Sequence, residues 1–338
     1  FIRPTDEELQ KHNPEFIVGT TEGILAISLI VAAEEKNIPY YGLQHGFTPE
    51  NLLDIIKNEK RAALAFITKL KTYFQTTCFF FSSLRLKSLG RFFQYSNLFY
   101  LFYTNFPEAA INKNKYKWVK PRYYVCFSEI SAVHYKKLYN LEESQIKYIG
   151  ILSFDSFFKA ISQTKPTNDT EKYYLLIDTS FIDYHKPVSR EQIERCYHEL
   201  NEYCKKDGAR LYIKLHPRNY EISDFSGNDS IRVIKNLEMA DLAQVIVNAV
   251  GCFGFYSTLT MPISFMLPTI QIKYDDVYEL GLAEKKVTPV LDFYTFDASE
   301  ILFYPVNDEK KALEKEFLFA TDGKAVERLK QILLNEEV

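Results

Sequence analysis

Short apolar runs alternate with longer amphipathic and polar stretches along the chain. Runs rich in β-branched and aromatic residues predict strands buried on both faces, as in parallel sheets. The first is 15-EFIVG-19, read as a buried strand. After the turn 19-GTTEG-23, an apolar stretch predicts a helix over 24–36, stopped by 37-NIP-39. The strand 40-YYGL-43 then ends in Gln44-His45-Gly46. Beyond a long insertion, 122-RYYVCFS-128 predicts another strand, 129–139 a helix, and 146-IKYIGI-151 a further strand. The polar stretch 161-ISQTKPTNDTEK-172 has the composition of a linker.

A second alternating series begins at 173-YYLLID-178. The helix 189-SREQIERCYHELNEYCKK-206 closes at Gly208, and the strand 210-RLYIKL-215 delivers 216-HPR-218. A strand at 231-IRVI-234 and a helix at 238-EMADLAQVIVN-248 follow. The run 250-VGCFGF-255 enters 256-YSTLTMPISFM-266, and 269-TIQI-272 closes the series. Two amphipathic helices, 309-EKKALEKEF-317 and 323-GKAVERLKQILLNEE-337, end the chain. Strand–helix alternation of this kind predicts an α/β fold with parallel sheets. The predicted organisation is a first domain over 1–155 with a helical insertion at 57–122, a linker over 156–172, a second domain over 173–308, and C-terminal helices over 309–338.

Composition narrows the class. With 338 residues, 46% hydrophobic and 25% charged, the chain has the make-up of a globular protein large enough for two cores. Aromatic content is high at 15%, with 24 Tyr and 27 Phe. Five cysteines (Cys78, Cys126, Cys196, Cys204, Cys252), an odd number without CxxC spacing, fit reduced thiols in a cytosolic protein. The longest apolar run, 24-ILAISLIVAA-33, is about half of the ~20 residues that cross a bilayer. No signal peptide is visible, and a start at Phe1 reads as a chain cut from something longer.

Charge is unevenly spread. Between Lys57 and Arg122 there are 13 Lys+Arg against two acids, a surplus of +11 that leaves −14 on the rest of a −3 chain. The same segment holds 78-CFFFSSLRLKSLGRFFQYSNLFYLFYTNF-106. Cations interleaved with aromatic rings suit an anionic lipid surface, with Lys69, Lys71, Arg85, Lys87 and Arg91 as the basic patch. A helical subdomain with a solvated basic face fits the same residues. No nucleic-acid reading motif is present, so nucleic acid is not an expected partner.

Ligands of open parallel α/β sheets bind outside the carboxyl ends of the strands. The chemically unusual residues gather at such ends: Thr20, Thr21, Glu22 and Gly23; Gln44, His45 and Gly46; Asp178, Thr179 and Ser180; His216, Pro217 and Arg218; Ser257, Thr258 and Thr260. Two sheets facing a crevice would line it with all five loops. Ser257, Thr258 and Thr260 lie where a strand gives way to a helix, so hydroxyls and open N–H groups suit an anion; a plain helix cap fits too. Thr260 as that cap leaves Pro262 in the first turn, where it is tolerated. A protonated His216 would neutralise charge on a leaving nucleoside phosphate, with Lys214 on the same side of its strand and Arg218 nearby. Glu22 and His45 are the candidate proton acceptors for an acceptor hydroxyl, although Glu22 equally suits a helix start. His12, His134, His185 and His198 read as surface residues. No cluster offers a metal site, since Asp275 and Asp276 are neighbours that face opposite ways on a strand; the expectation is metal-independent chemistry with no cofactor.

The motifs 19-GTTEGILAISLIVAAEEKNIPYYGLQHG-46, 146-IKYIGILSFDS-156, 213-IKLHPR-218 and 257-STLTMPISFMLPTIQI-272, in that order, resemble bacterial GT-B glycosyltransferases of capsule, lipopolysaccharide and teichoic-type polymers. That group includes sialyl-, polysialyl- and glycerophosphotransferases. The resemblance implies two Rossmann-like domains facing a cleft, with much of the usual first-domain sheet missing before Phe1, as in a truncated chain or a shortened domain. It implies an activated-sugar donor held mainly by the second domain, with His216 and the Ser257/Thr258 loop on its phosphate. With the neighbouring strand-end residues the expected donor set is Thr179, Ser180, Lys214, His216, Pro217, Arg218, Ser257, Thr258 and Thr260. The acceptor, lipid-linked or a surface polysaccharide, would meet Thr20, Thr21, Gly23, Gln44 and Gly46, with Glu22 or His45 as base and His216 the third catalytic residue. The sialyltransferase branch carries an acidic pair before Gly, whereas Thr21 holds the first position here. The glycerophosphotransferase branch relies on two histidines that match His45 and His216. The expected protein is a cytoplasmic glycosyltransferase, peripheral on the inner face of the plasma membrane. A nucleotide-sugar 2-epimerase and a non-catalytic membrane- or polysaccharide-binding scaffold are the alternatives.

Overall fold

A computed structural model describes residues 5–20, 23–44, 121–139, 141–167, 171–179, 188–216, 228–255, 257–274 and 281–334. The chain divides into two compact units, Phe1–Ile149 with Glu327–Val338, and Gly150–Val326.

The first unit opens with helix α1 (Thr5–His12), strand β1 (Ile17–Gly19), helix α2 (Gly23–Glu35) and strand β2 (Tyr40–Leu43). Strand β3 (Tyr123–Cys126), helix α3 (Glu129–Tyr139) and strand β4 (Ile146–Tyr148) follow. The strands pair in parallel in the order β1-β2-β3-β4. Helix α2 is almost wholly apolar, as befits a helix packed within a core, and it buries Ala26, Ile30, Val31, Ala32 and Ala33. It stops where predicted: Asn37 takes the left-handed conformation (φ 57°) and the Ile38 N–H closes onto Ala33 O at 2.9 Å. One expectation changes. Strand β1 is half-buried, not buried, because it lies at the edge of the described sheet.

The second unit runs through helix α4 (Asp155–Gln163), strand β5 (Tyr173–Ile177), helix α5 (Arg190–Lys206), strands β6 (Arg210–Lys214) and β7 (Ile231–Ile234), and helix α6 (Met239–Asn248). Strand β8 (Gly251–Gly254), helix α7 (Thr260–Met266), strands β9 (Thr269–Lys273) and β10 (Val290–Asp292), and helix α8 (Asp308–Leu318) follow; helix α9 (Ala325–Leu333) starts in this unit and from Glu327 onward belongs to the first. Six parallel strands stand in the order β10-β9-β8-β5-β6-β7. Central β5 is buried at every residue, so the continuous apolar run read from the sequence is what two covered faces require. Helix α5 starts on a reciprocal Ser189–Gln192 capping box and ends before Gly208 (φ 66°). Its Ile193, Cys196, Tyr197, Leu200 and Cys204 form one stripe, which packs with Leu211, Ile213 and Leu215 in the main core.

The span 156–172 was expected to be a linker, yet it opens inside helix α4, which buries Phe157 and Phe158. Phe154, Phe157, Phe158 and Ile161 have helical spacing that the polar tail at 161–172 masks. Strand β10 went unread because three residues carry too little pattern. Asp155 also caps the last helix, its carboxylate accepting from the Ala325 and Val326 N–H groups at 2.9 Å each.

Candidate functional site

In the second sheet the strand order reverses at β5. The chain moves outward through β6 and β7, then returns to the other flank of β5 with β8, β9 and β10. The carboxyl ends of β5, β6 and β8 meet there, the place where open α/β sheets bind ligands. Hydrogen bonds tie these ends together. The Asp178 N–H donates to Lys214 O at 3.1 Å, and the Phe255 N–H to Ile177 O at 3.4 Å. The His216 N–H donates to Asp178 Oδ2 at 3.2 Å, and the Tyr197 hydroxyl to Asp178 Oδ1 at 2.7 Å.

Three of the predicted donor residues thus share one locality. His216 is half-buried just past β6, Lys214 is half-buried on β6, and Thr179 is buried just past β5. Leu211, Ile213 and Leu215 turn into the α5 core, so alternation sends Lys214 to the other face. Burial holds the Lys214 ammonium below the ordinary lysine value, and the nearby Asp178 carboxylate opposes that fall. Burial pushes the Tyr197 phenol up, with the Asp178 charge adding to the effect, so the phenol stays a hydrogen-bond donor.

The loop after β8 differs from expectation. Helix α7 begins at Thr260 with Leu259 as its cap, so Thr260 is not the cap and Pro262 sits at the third helical position. Thr260 has no exposed surface, and its hydroxyl donates to Phe255 O at 3.0 Å. It locks the turn from inside and is withdrawn from the donor-binding set. Gly254 makes this possible, since a Cβ there would collide with the Thr260 side chain. Thr258 is exposed, and Ser257 is half-buried with its Oγ accepting from the Leu259 N–H at 3.4 Å.

On the first unit, Gln44 was expected to meet an acceptor. It is 3% exposed, and its Oε1 accepts from the Phe127 N–H at 2.9 Å and from the Ser131 hydroxyl at 3.0 Å. Ser131 in turn accepts from the Ser128 N–H at 2.9 Å. This amide fastens the end of β2 to the start of α3, a long-range role that local sequence does not reveal. Thr20 is exposed, with its carbonyl taken by the Tyr40 hydroxyl, which crosses over Gly19. Gly23 opens helix α2. Thr21, Glu22, His45, Gly46, Ser180, Pro217, Arg218 and the basic patch Lys69, Lys71, Arg85, Lys87 and Arg91 lie outside the described residues.

Four cysteines, Cys126, Cys196, Cys204 and Cys252, are free and buried, and burial raises their thiols. Among the described residues no group of three His, Cys, Asp or Glu could hold a metal, and no helix is long and apolar enough to cross a membrane.

Residues 36–275, well over half of the chain and including both sheets from β2 to β9, match the alpha-2,8-polysialyltransferase (POLYST) family. The chain belongs to this family. It is a nucleotide-sugar-dependent glycosyltransferase of the surface-polysaccharide kind. No curated protein matches it. Among solved structures, this polysialyltransferase-family chain is similar to UDP-GlcNAc 2-epimerase from Methanocaldococcus jannaschii in complex with UDP-GlcNAc and UDP, at 14% identity and TM-score 0.51 over 98% of this chain and 78% of that one. It is also similar to the S. aureus MnaA-UDP co-structure, at 12% identity and TM-score 0.54 over 98% and 78%. The wall teichoic acid polymerase TagF matches at 14% identity and TM-score 0.45 over 90% and 69%. Identities this low speak to fold alone, and that fold is the GT-B class.

Proposed function

We propose that the second unit holds the nucleotide-sugar donor at the reversal beside β5, and that the enzyme transfers its sugar without a metal ion. The supporting observation is the hydrogen-bonded junction of the β5, β6 and β8 ends, which gathers His216, Lys214 and the Ser257–Thr258 loop. A donor phosphate would lie against the Lys214 ammonium and a protonated His216, with the Ser257 and Thr258 hydroxyls as further donors. In the transfer step an acceptor hydroxyl oxygen bonds to the anomeric carbon as the bond from that carbon to the phosphate oxygen breaks. The nucleotide leaves with the electron pair, its charge offset by His216, and the hydroxyl proton passes to Glu22 or His45.

His216→Ala tests this directly. The variant should fold and lose ~10²–10³-fold in transfer rate, and wild-type turnover would overturn the reading. A thermal-shift screen with CMP, CDP, UDP and GDP should find one nucleotide that stabilises the wild type and not the variant. Chelator should leave the rate unchanged; loss with rescue by magnesium would remove the metal-free step. Sugar interconversion with no acceptor present would replace transfer by epimerisation.

The acceptor we propose is a lipid-linked or surface polysaccharide, at the inner face of the plasma membrane, approached through the basic aromatic segment. Binding to anionic vesicles should weaken with salt and on charge reversal of Lys69, Lys71, Arg85, Lys87 and Arg91. Salt-insensitive binding would overturn the electrostatic part.

A further inference from the structure

Asp178 takes no part in the transfer step above, yet it is the residue on which the junction turns. Its side chain is 3% exposed, at the first position past β5. A carboxylate this deep is costly unless donors fill its lone pairs. The donors on Asp178 come from two directions. Tyr197 rises from helix α5 to Oδ1 at 2.7 Å, and the main-chain N–H of His216 reaches Oδ2 at 3.2 Å from the neighbouring strand end. The Asp178 N–H returns the tie to Lys214 O at 3.1 Å.

Tyr197 is itself fixed. It is 1% exposed and belongs to the apolar stripe of α5, four residues after Ile193 and three before Leu200. A rigid helix therefore holds the phenol, the phenol holds one carboxylate oxygen, and the other oxygen holds the backbone from which the His216 side chain departs. We infer that Asp178 is a positioning residue for the transfer reaction, setting the main chain at His216 with Tyr197 as its support. This rests on the reading that His216 meets the donor phosphate. A misplacement of ~1 Å in such a group costs on the order of 10²-fold in rate, which sets the expected size of the effect.

The chemistry of the amide gives a clean separation of geometry from charge. In Asp178→Asn the side-chain oxygen still accepts from the His216 N–H, and the NH₂ donates to the Tyr197 oxygen, which a phenol also offers as an acceptor. Asp178→Ala keeps neither bond. The expected result is a ~10²-fold fall in kcat for Asp178→Ala with the donor KM within about threefold, and recovery to within about threefold of wild type in Asp178→Asn. Tyr197→Phe should fall between, at about tenfold. In the His216→Ala background, Asp178→Ala should add less than about threefold, because it acts through a side chain already gone.

An Asn variant as damaged as the Ala variant would overturn the positioning role, and so would losses that multiply in the double variant. Wild-type kcat in Asp178→Ala beside a damaged His216→Ala would end this inference alone. Wild-type activity in His216→Ala would end the donor-site reading first and take this inference with it. Should Asp178→Ala fail to fold by circular dichroism, Tyr197→Phe alone and with His216→Ala repeats the cycle under the same criteria.

Discussion

Strand ends β2 and β5 are both closed by a buried acceptor that reaches a neighbouring element, but Gln44 is a neutral amide and Asp178 a carboxylate. The amide joins a strand to the turn that starts α3, through Phe127, Ser128 and Ser131. The carboxylate joins two strands and a helix, and it does so beside Lys214. A neutral closure fixes geometry at little electrostatic cost, whereas a charged one also sets the field in which a half-buried cation keeps its proton. The contrast teaches that strand ends of similar look can carry different burdens: the first unit's is structural, the second's also electrostatic.

The strongest way to break that contrast is at Lys214. Lys214→Met should lower kcat/KM by ~10²-fold, as the loss of a preorganised donor to the phosphate. Because the Lys214 value is depressed, raising the pH removes its proton earlier than from a surface lysine. The wild type should therefore show an alkaline fall in kcat/KM that the Met variant lacks, read from pH–rate profiles. Gly254→Ala comes next. Its Cβ would drive Thr260 from the turn, and a loss of about 3 kcal/mol in urea unfolding is expected, with activity falling too.

Gln44→Ala should cost about 2 kcal/mol by leaving the Phe127 N–H and the Ser131 hydroxyl short of their acceptor. That loss should be independent of pH between 5 and 8, since no charge is involved; a pH-dependent loss would blur the contrast. The smallest effect concerns Lys310, 4% exposed on α8, whose Nζ reaches Leu267 O at 3.5 Å. Burial brings its ammonium down to about 8. Below that pH the folded and unfolded chains both carry the proton and the burial penalty is present in full. As pH rises from about 8 towards the ordinary 10.5, the folded chain sheds its proton first and stability climbs. Lys310→Met should stabilise by about 1 kcal/mol at neutral pH, with the gain in Tm shrinking as the buffer approaches pH 10.

Much of the fold was legible because the parallel strands announce themselves. The runs at 173–177, 210–214 and 231–234 were placed from apolar β-rich composition, and α5 from a stripe bounded by Ser189 and Gly208. What failed did so for physical reasons. Helix α4 hid behind a polar tail, and β10 was too short to show alternation. At the candidate site, residue types marked the strand ends, but partners came from far along the chain. Gln44 meets Ser131, and Asp178 meets Tyr197 and His216, so neither clamp could be read locally. Thr260 looked like a helix cap because a hydroxyl before a helix usually is one. Its contact with Gly254 turned it inward.

That last contact has an evolutionary consequence. Because position 254 has room for a hydrogen alone only while a branched side chain fills position 260, the two sites should mutate as a pair among homologous chains. Lineages that acquire a bulkier residue at 254 should carry a smaller one at 260, and a drift at one site without the other should be purged.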